Sequence, residues 1–227
     1  MQSNNKQSGT LAGHHNQPAG PATERINMKI KDAVKITHTL SKPGKMPGPA
    51  YSISAKNCIT GAKLAKIPGS VCAGCYALKG RYMFKNTKSA HQLRQESLDH
   101  PQWVEAMAVQ IKSHKWFRWH DAGDLQSVQH LNNIISVCKL TPGTMHWLPT
   151  REAQILKEFT PAMIPTNLII RLSSHMINQG PAKQWPHTST VTDGEGRTCP
   201  APDQGGKCGD CRSCWDRDTK NVCYGKH

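Results

Sequence analysis

The sequence predicts an α/β protein: a partial (β/α) barrel-like parallel sheet followed by a Cys-rich, irregular C-terminal extension. Three observations predict it. Short strand-like runs alternate with amphipathic helical stretches between residues 86 and 172, the alternation from which parallel sheets with right-handed crossovers are built. The run Asn167-Leu-Ile-Ile-Arg-Leu172 is nearly continuous in apolar residues, as strands buried on both faces are. From Gly180 onward periodicity vanishes and Gly, Pro, Cys and Asp dominate. That segment needs an organiser other than apolar burial.

Taken in order, residues 1–45 read as a disordered basic and polar tail. The first 27 residues hold few large apolar side chains and cannot offset the entropy of ordering. Residues 40–50 contain three Pro and two Gly, an extended lead-in. Residues 46–180 form the expected core, and residues 181–227 the extension. Two helices fit between Asn86 and Ser113, separated near Pro101, with Leu93, Leu98, Trp103, Val104, Met107 and Ile111 at helical spacing. Trp116–His120 reads as a strand. Asp124 is the expected N-cap of a helix over 125–140 with the stripe Leu125, Val128, Leu131, Ile134, Ile135 and Cys138. Thr141-Pro-Gly stops it. Met145–Pro149 reads as a second strand, Glu152–Phe159 as a short helix, and 167–172 as a third strand.

The 227 residues carry 29 Lys and Arg against 15 Asp and Glu, a formal charge of +14. No run approaches the roughly 18 apolar residues of a membrane helix, so no membrane partner is expected. The first twenty residues lack an apolar secretory core, which places the chain in a reducing cytoplasm. Nine Cys there point to metal rather than cross-links. The basic charge points to a nucleic-acid partner or to a merely soluble surface. The six Trp are base-stacking candidates or core residues. His14, His15, His38, His91 and His187 read as surface residues.

The cysteines form two groups. Cys208, Cys211 and Cys214 are each two residues apart, with Cys199 and Cys223 flanking them at eight. Three thiolates at this spacing plus a remote fourth suit a [4Fe–4S] cluster, with zinc as the alternative. Cys199 is the preferred fourth ligand, and Cys223 the other candidate. The second group is Cys58, Cys72 and Cys75, at intervals of thirteen and two. A three-Cys cluster leaves one iron open. Bound clusters would lower the working charge to about +11. Cys138 lies on a helix stripe and reads as core.

Polar residues recur where strands end. His120, Asp121, Gly123 and Asp124 follow the first expected strand. Arg151 and Glu152 follow the second, and Ser173 follows the third with Arg171 just inside. In parallel α/β folds that edge opens onto the ligand crevice.

The stretches Lys45-Met-Pro-Gly, Gly69-Ser-Val-Cys72-Ala-Gly-Cys75-Tyr-Ala-Leu-Lys-Gly-Arg-Tyr, His120-Asp-Ala-Gly-Asp-Leu-Gln-Ser, Trp147-Leu-Pro-Thr-Arg-Glu and Cys199-Pro-Ala-Pro through Cys214-Trp resemble the phage and plasmid family called gene product 88. That resemblance implies a protein encoded by a phage or plasmid and working in the bacterial host. More distantly, Cys72-x-x-Cys75-Tyr76 with a Cys-rich C-terminal segment is similar to radical S-adenosylmethionine (SAM) enzymes, although the first interval in that superfamily is usually three residues. This likeness implies a [4Fe–4S] cluster on Cys58, Cys72 and Cys75 whose open iron binds SAM. An auxiliary cluster would sit on Cys199, Cys208, Cys211 and Cys214. His120, Asp121, Asp124, Arg151 and Glu152 would serve as catalytic residues, and Tyr76, Gly123, Arg171 and Ser173 would bind cofactor. A reductase or flavodoxin-type electron donor would be needed. The alternative is a non-catalytic, metal-stabilised nucleic-acid-binding or regulatory protein.

Overall fold

Six strands make one sheet in the order of the chain: β1 (Ala50–Tyr51), β2 (Trp116–Trp119), β3 (Met145–Thr150), β4 (Leu168–Ser173), β5 (Thr188–Thr192) and β6 (Asn221–Gly225). Every neighbouring pair is parallel. The α/β class therefore holds. The computed structural model describes residues 26–226; residues 1–25, with His14 and His15, and residue 227 lie outside the described residues.

The helices are α1 (Ile30–Thr37), α2 (Ile59–Leu64), α3 (Lys85–Glu96), α4 (Trp103–Ile111), α5 (Val128–Leu140) and α6 (Ala153–Leu156). Alternation along the strands divides the sheet's residues between two faces. Phe117 and Trp119 of β2, Leu148 of β3, and Leu168, Ile170 and Leu172 of β4 join Met107, Ile111, Leu131 and Ile134 of α4 and α5 in the main core. Trp116 of β2, and Met145 and Trp147 of β3, project to the opposite face. There they pack with Cys214, Trp215, Val222, Met46 and Tyr224. A parallel sheet needs cover on both sides. Here helices cover one face and the Cys-rich segment covers the other.

Residues 181–227 are thus no appendage: they supply β5, β6 and the second layer. Strand β5 (Thr-Ser-Thr-Val-Thr) is polar but β-branched, and its register with β6 runs from Thr188 opposite Asn221 to Thr192 opposite Gly225. The expected tail also begins folding before residue 45. Helix α1 turns Ala33 and Thr37 inward, and Ala33 packs with Ala106 and Val109 of α4. Lys45 O then accepts a bond from Cys208 N at 2.8 Å, stitching the lead-in to the C-terminal loop.

The two helices expected around Pro101 are α3 and α4. Asp124, however, does not cap α5. Ser127 does, accepting from His130 N at 3.0 Å. Five of the six Trp are buried, so the aromatic residues are mainly core and not a stacking platform. His91 and His187 are buried as well, against the surface expectation. His187 bonds Arg217 O at 2.8 Å.

His146 of β3 is fully enclosed, stacked on Trp119, with Nε2 2.9 Å from Thr141 Oγ1. Burial lowers its pKa to about 3. Burial likewise lowers that of His130 to about 4. An unfolded chain protonates both near pH 6.5, whereas the native chain holds them neutral. Stability is therefore fully present above pH 6.5 and is lost as pH falls below it, by about 1.4 kcal/mol per unit for each such His. Urea unfolding at pH 7, 6 and 5 should show the decline, and His146→Gln should make it shallower by that residue's share while His130 keeps its own; a level wild-type profile would refute the assignment.

Candidate active site and cysteine groups

The C-terminal ends of β1, β2 and β3 converge on one polar patch, and Asp124 is its centre. Its Oδ1 accepts from Thr150 Oγ1 at 2.6 Å and Leu125 N at 2.8 Å, and its Oδ2 from Arg151 N at 2.8 Å. Burial raises its pKa to about 6, opposed by the bonds from Thr150 and Arg151. Asp124 therefore ties the end of β2 to the end of β3. Three donors hold it in place, two on Oδ1 and one on Oδ2, so the contacts on view give Asp124 a positioning role.

Glu152 acts in the same way. Its Oε1 accepts from Thr60 N at 2.9 Å and its Oε2 from Thr60 Oγ1 at 2.6 Å. Thr60 lies in the first turn of α2, two residues after its N-cap Cys58. A carboxylate on a helix N-terminus satisfies amides that have no intrahelical partner, and here it fixes where Cys58 stands. The thirteen-residue interval from Cys58 to Cys72 is taken up by α2 and the turn after it. Ser70 closes that turn with bonds to Leu64 O at 2.5 Å and from Ala73 N at 3.0 Å.

Cys58, Cys72 and Cys75 are thereby brought together. A Cβ placed on Gly61 would stand 3.6 Å from Cys58 Sγ and 3.7 Å from Cys72 Sγ, so glycine leaves the gap between the two sulfurs open. Burial pushes the Cys58 thiol up to about 12, aided by Asp124, Cys75, Cys72 and Glu152. Burial raises Cys72 too, against the pull of Arg151. Tyr76, next to Cys75, donates its hydroxyl to Asp121 O at 2.6 Å, and Tyr82 donates to Asp121 Oδ2 at 3.2 Å.

Around this group several buried polar atoms have no hydrogen-bond partner among the described residues: both ring nitrogens of His120, Asp121 Oδ1 and Arg151 Nε. His120 sits at φ 54°, held there by its backbone bond to Tyr51 O at 2.9 Å. Burial, His130 and Arg118 keep its ring neutral. Gly123, at φ 84°, backs directly onto Ile53, so its expected cofactor-binding role is a close-packing one. Gly123→Ala is expected to cost about 3 kcal/mol through left-handed strain and overpacking, read as a lowered urea midpoint.

The second group lies on the other face of the sheet. Burial raises the Cys208 thiol, with Cys199 and Cys211 adding to it and Arg118 and Arg212 opposing. Burial takes Cys214 to about 11, against its 3.1 Å bond with Tyr224 and the charges of Arg171 and Arg118. Cys199 also acts on Cys214. Cys223 points its sulfur at Tyr224 O, 3.9 Å away, while its own carbonyl accepts from Thr198 N and Cys199 N at 3.0 Å. Among the described residues no disulfide joins any of the nine Cys. Among the described residues, no three His, Cys, Asp or Glu side chains converge closely enough to grip one metal ion.

Arg171 does not reach the pocket. It is fully buried and donates to the carbonyls of Ser213 at 2.6 Å, Asp216 at 2.9 Å and Cys214 at 3.1 Å. It shapes the Cys loop instead. Ser173 is likewise engaged, 2.8 Å from Ser189 Oγ.

Arg118 was hidden within an expected strand. Its guanidinium lies 4.4 Å over the Trp147 ring, and its Nε is shut off without a partner. Desolvation opposes its charge, but Tyr76 and Asp121 on the first site and Tyr224 and Cys214 on the second outweigh it. The alternation Trp116-Phe-Arg-Trp119 was the available signal: it sends Arg118 to the face opposite Phe117.

The molecule is thus an open parallel α/β protein with one Cys group at its strand ends and another covering its second face. The family model for gene product 88 matches residues 22–217, and the chain belongs to that family. The match carries nothing of the radical SAM likeness. No curated protein and no solved structure matches. Among the described residues, no helix is long and apolar enough to cross a membrane.

Proposed function

We propose that this protein is an iron–sulfur enzyme of the radical SAM type, with an open three-Cys [4Fe–4S] site and an auxiliary four-Cys site. The observation that supports the reading is that Cys58 and Cys72 stand on either side of Gly61, with Cys75 near enough to act on both thiols. The donor set contains thiols alone, which suits iron–sulfur or zinc. Gly61 keeps the space between two of the sulfurs clear. A cluster separates its cysteine sulfurs by iron corners, so it does not need the tight convergence that a single zinc requires. The sheet order, sequential and without reversal, is compatible with a partial barrel.

Cys58, Cys72 and Cys75 would hold the open cluster, and Cys199, Cys208, Cys211 and Cys214 the auxiliary one. When bound, the open cluster would supply a free iron site for SAM and the electron for its reductive cleavage. Glu152, through Thr60, sets the position of Cys58. Tyr76, through Asp121, sets that of Cys75. Neutral His120, Asp121 Oδ1 and Arg151 Nε have hydrogen-bonding capacity left for SAM or substrate. A flavodoxin-type reductase would deliver the electron.

Oxygen-free purification tests this. Iron and sulfide at about four or eight per chain, a reducible cluster signal in electron paramagnetic resonance, and formation of 5′-deoxyadenosine from SAM are expected. A colourless chain with stoichiometric zinc would overturn the iron–sulfur reading. An iron-loaded chain that never binds SAM would overturn the radical branch.

A further inference from the structure

We propose that a cavity beside the first Cys group binds the phosphate of a phosphate-bearing substrate. This deepens the reading above by naming the substrate class, and in that sense rests on it. The cavity is an open cleft of about 380 Å³ lined by Lys56, Tyr82, Lys85, Lys88, Ser89 and His91, among others. Ala77 and Leu78, in the turn straight after Tyr76, form part of the same wall. Tyr82 is the shared partition. One side lines the cavity, and its hydroxyl reaches Asp121 Oδ2 in the cysteine site. A group anchored in the cavity would therefore hold the rest of its molecule next to Cys75 and Asp121.

Three further observations specify an anion. First, residues 33–95 contain eleven Lys and Arg and no Asp or Glu. Most of the chain's formal charge of +14 is concentrated in this segment, which surrounds the cavity and supplies Cys58, Cys72 and Cys75. Second, α3 begins at the cavity with no side-chain cap and no acidic residue in its first turn. Lys85 and Lys88 stand there instead, adding to the positive end of the helix dipole where a carboxylate would normally offset it. Third, His91 is 7% exposed, lines the cavity, and receives no hydrogen bond from any described residue. Exposed ammonium groups, free helix amides and an unsatisfied imidazole match the acceptor-rich oxygens of a phosphate. Among the described residues no carboxylate lines the cavity; Asp121, which acts on His91, stands behind Tyr82 with its Oδ2 on the Tyr82 hydroxyl.

The phosphate could belong to a free nucleotide or to a nucleic-acid strand, so two probes are needed. Calorimetry on the full chain would use pyrophosphate and, separately, an oligothymidylate of about ten nucleotides. The comparison is among wild type, Lys56→Gln/Lys88→Gln, and the charge-matched control Lys112→Gln/Lys139→Gln. The replaced lysines are all exposed, so each variant should fold, which a thermal melt checks. The cavity variant is expected to bind at least about tenfold more weakly, with the control near wild type. On the oligonucleotide, the salt slope should drop by about one for each lysine removed. Loss on both probes, or on pyrophosphate alone, supports a small phosphate site. Loss on the oligonucleotide alone supports a strand. Equal weakening in both variants, wild-type binding by the cavity variant, or no wild-type binding of either probe at low salt would overturn the proposal. Metal content measured on the same samples keeps its failure distinct from failure of the iron–sulfur reading.

Discussion

Replacing Cys72 with serine is expected to remove one iron–sulfur centre and leave the other in place. On the assignment above, iron should fall from about eight to about four per chain, and SAM cleavage should fall to background. Cys199→Ser or Cys208→Ser should instead lower only the auxiliary set. Cys223→Ser should leave both intact, because its sulfur faces the carbonyl of Tyr224 and not the other thiols. Iron and sulfide counts with electron paramagnetic resonance would read all four variants. Equal iron in wild type and Cys72→Ser would remove Cys72 from the ligand set. A Cys223 variant that lost a cluster would reverse the choice of fourth ligand.

The largest stability effect is expected at Arg171. The side chain is completely enclosed and no carboxylate bonds it. Burial therefore lowers its pKa, despite the help of Tyr224, Cys214 and Asp216. Its guanidinium spends its donors on backbone carbonyls of the loop that carries Cys214. Arg171→Met removes the charge but orphans Ser213 O, Asp216 O and Cys214 O at once. Leaving buried acceptors unmet costs about 1–3 kcal/mol each, less than additively, so a total of about 4 kcal/mol is expected in urea unfolding. Arg171→Lys should recover only part of it, since an ammonium cannot match the planar fork. A loss below about 1 kcal/mol would mean that the loop is held by other contacts.

Strands β2, β3 and β4 were legible because each carries enough apolar side chains to stand out. Strand β1 was not: it is two residues long, and its partner β2 begins at Trp116. Strands β5 and β6 were hidden by their Thr, Ser, Asn and Gly residues, whose place in the sheet comes from parallel pairing with buried neighbours. Helix α1 was lost in the average of a polar N-terminal region, although Ala33 and Thr37 mark its inner face. The cysteine spacing and the polar strand ends pointed to the edge of the sheet where Asp124, Glu152 and the first cysteines lie. What they could not show was direction. Asp124, Glu152 and Arg171 all read as ligands for something in a pocket, and all three hold backbone or hydroxyl groups of this chain. Sequence position places a polar residue at a strand end; only packing decides whether it faces a cavity or its own loop.

Cover of the sheet's second face by residues 199–224 has a consequence for biogenesis. Trp116, Met145 and Trp147 leave the ribosome well before Cys214 and Trp215, the residues that shield them. For that interval the nascent chain displays a bare aromatic surface of the kind that recruits chaperones or aggregates. If the C-terminal thiols take up a cluster, the loading machinery meets a partly folded client, and insertion of the cofactor becomes the step that closes the molecule. Iron-starved cells should then accumulate this protein as insoluble, protease-sensitive chains and not as a soluble apo form.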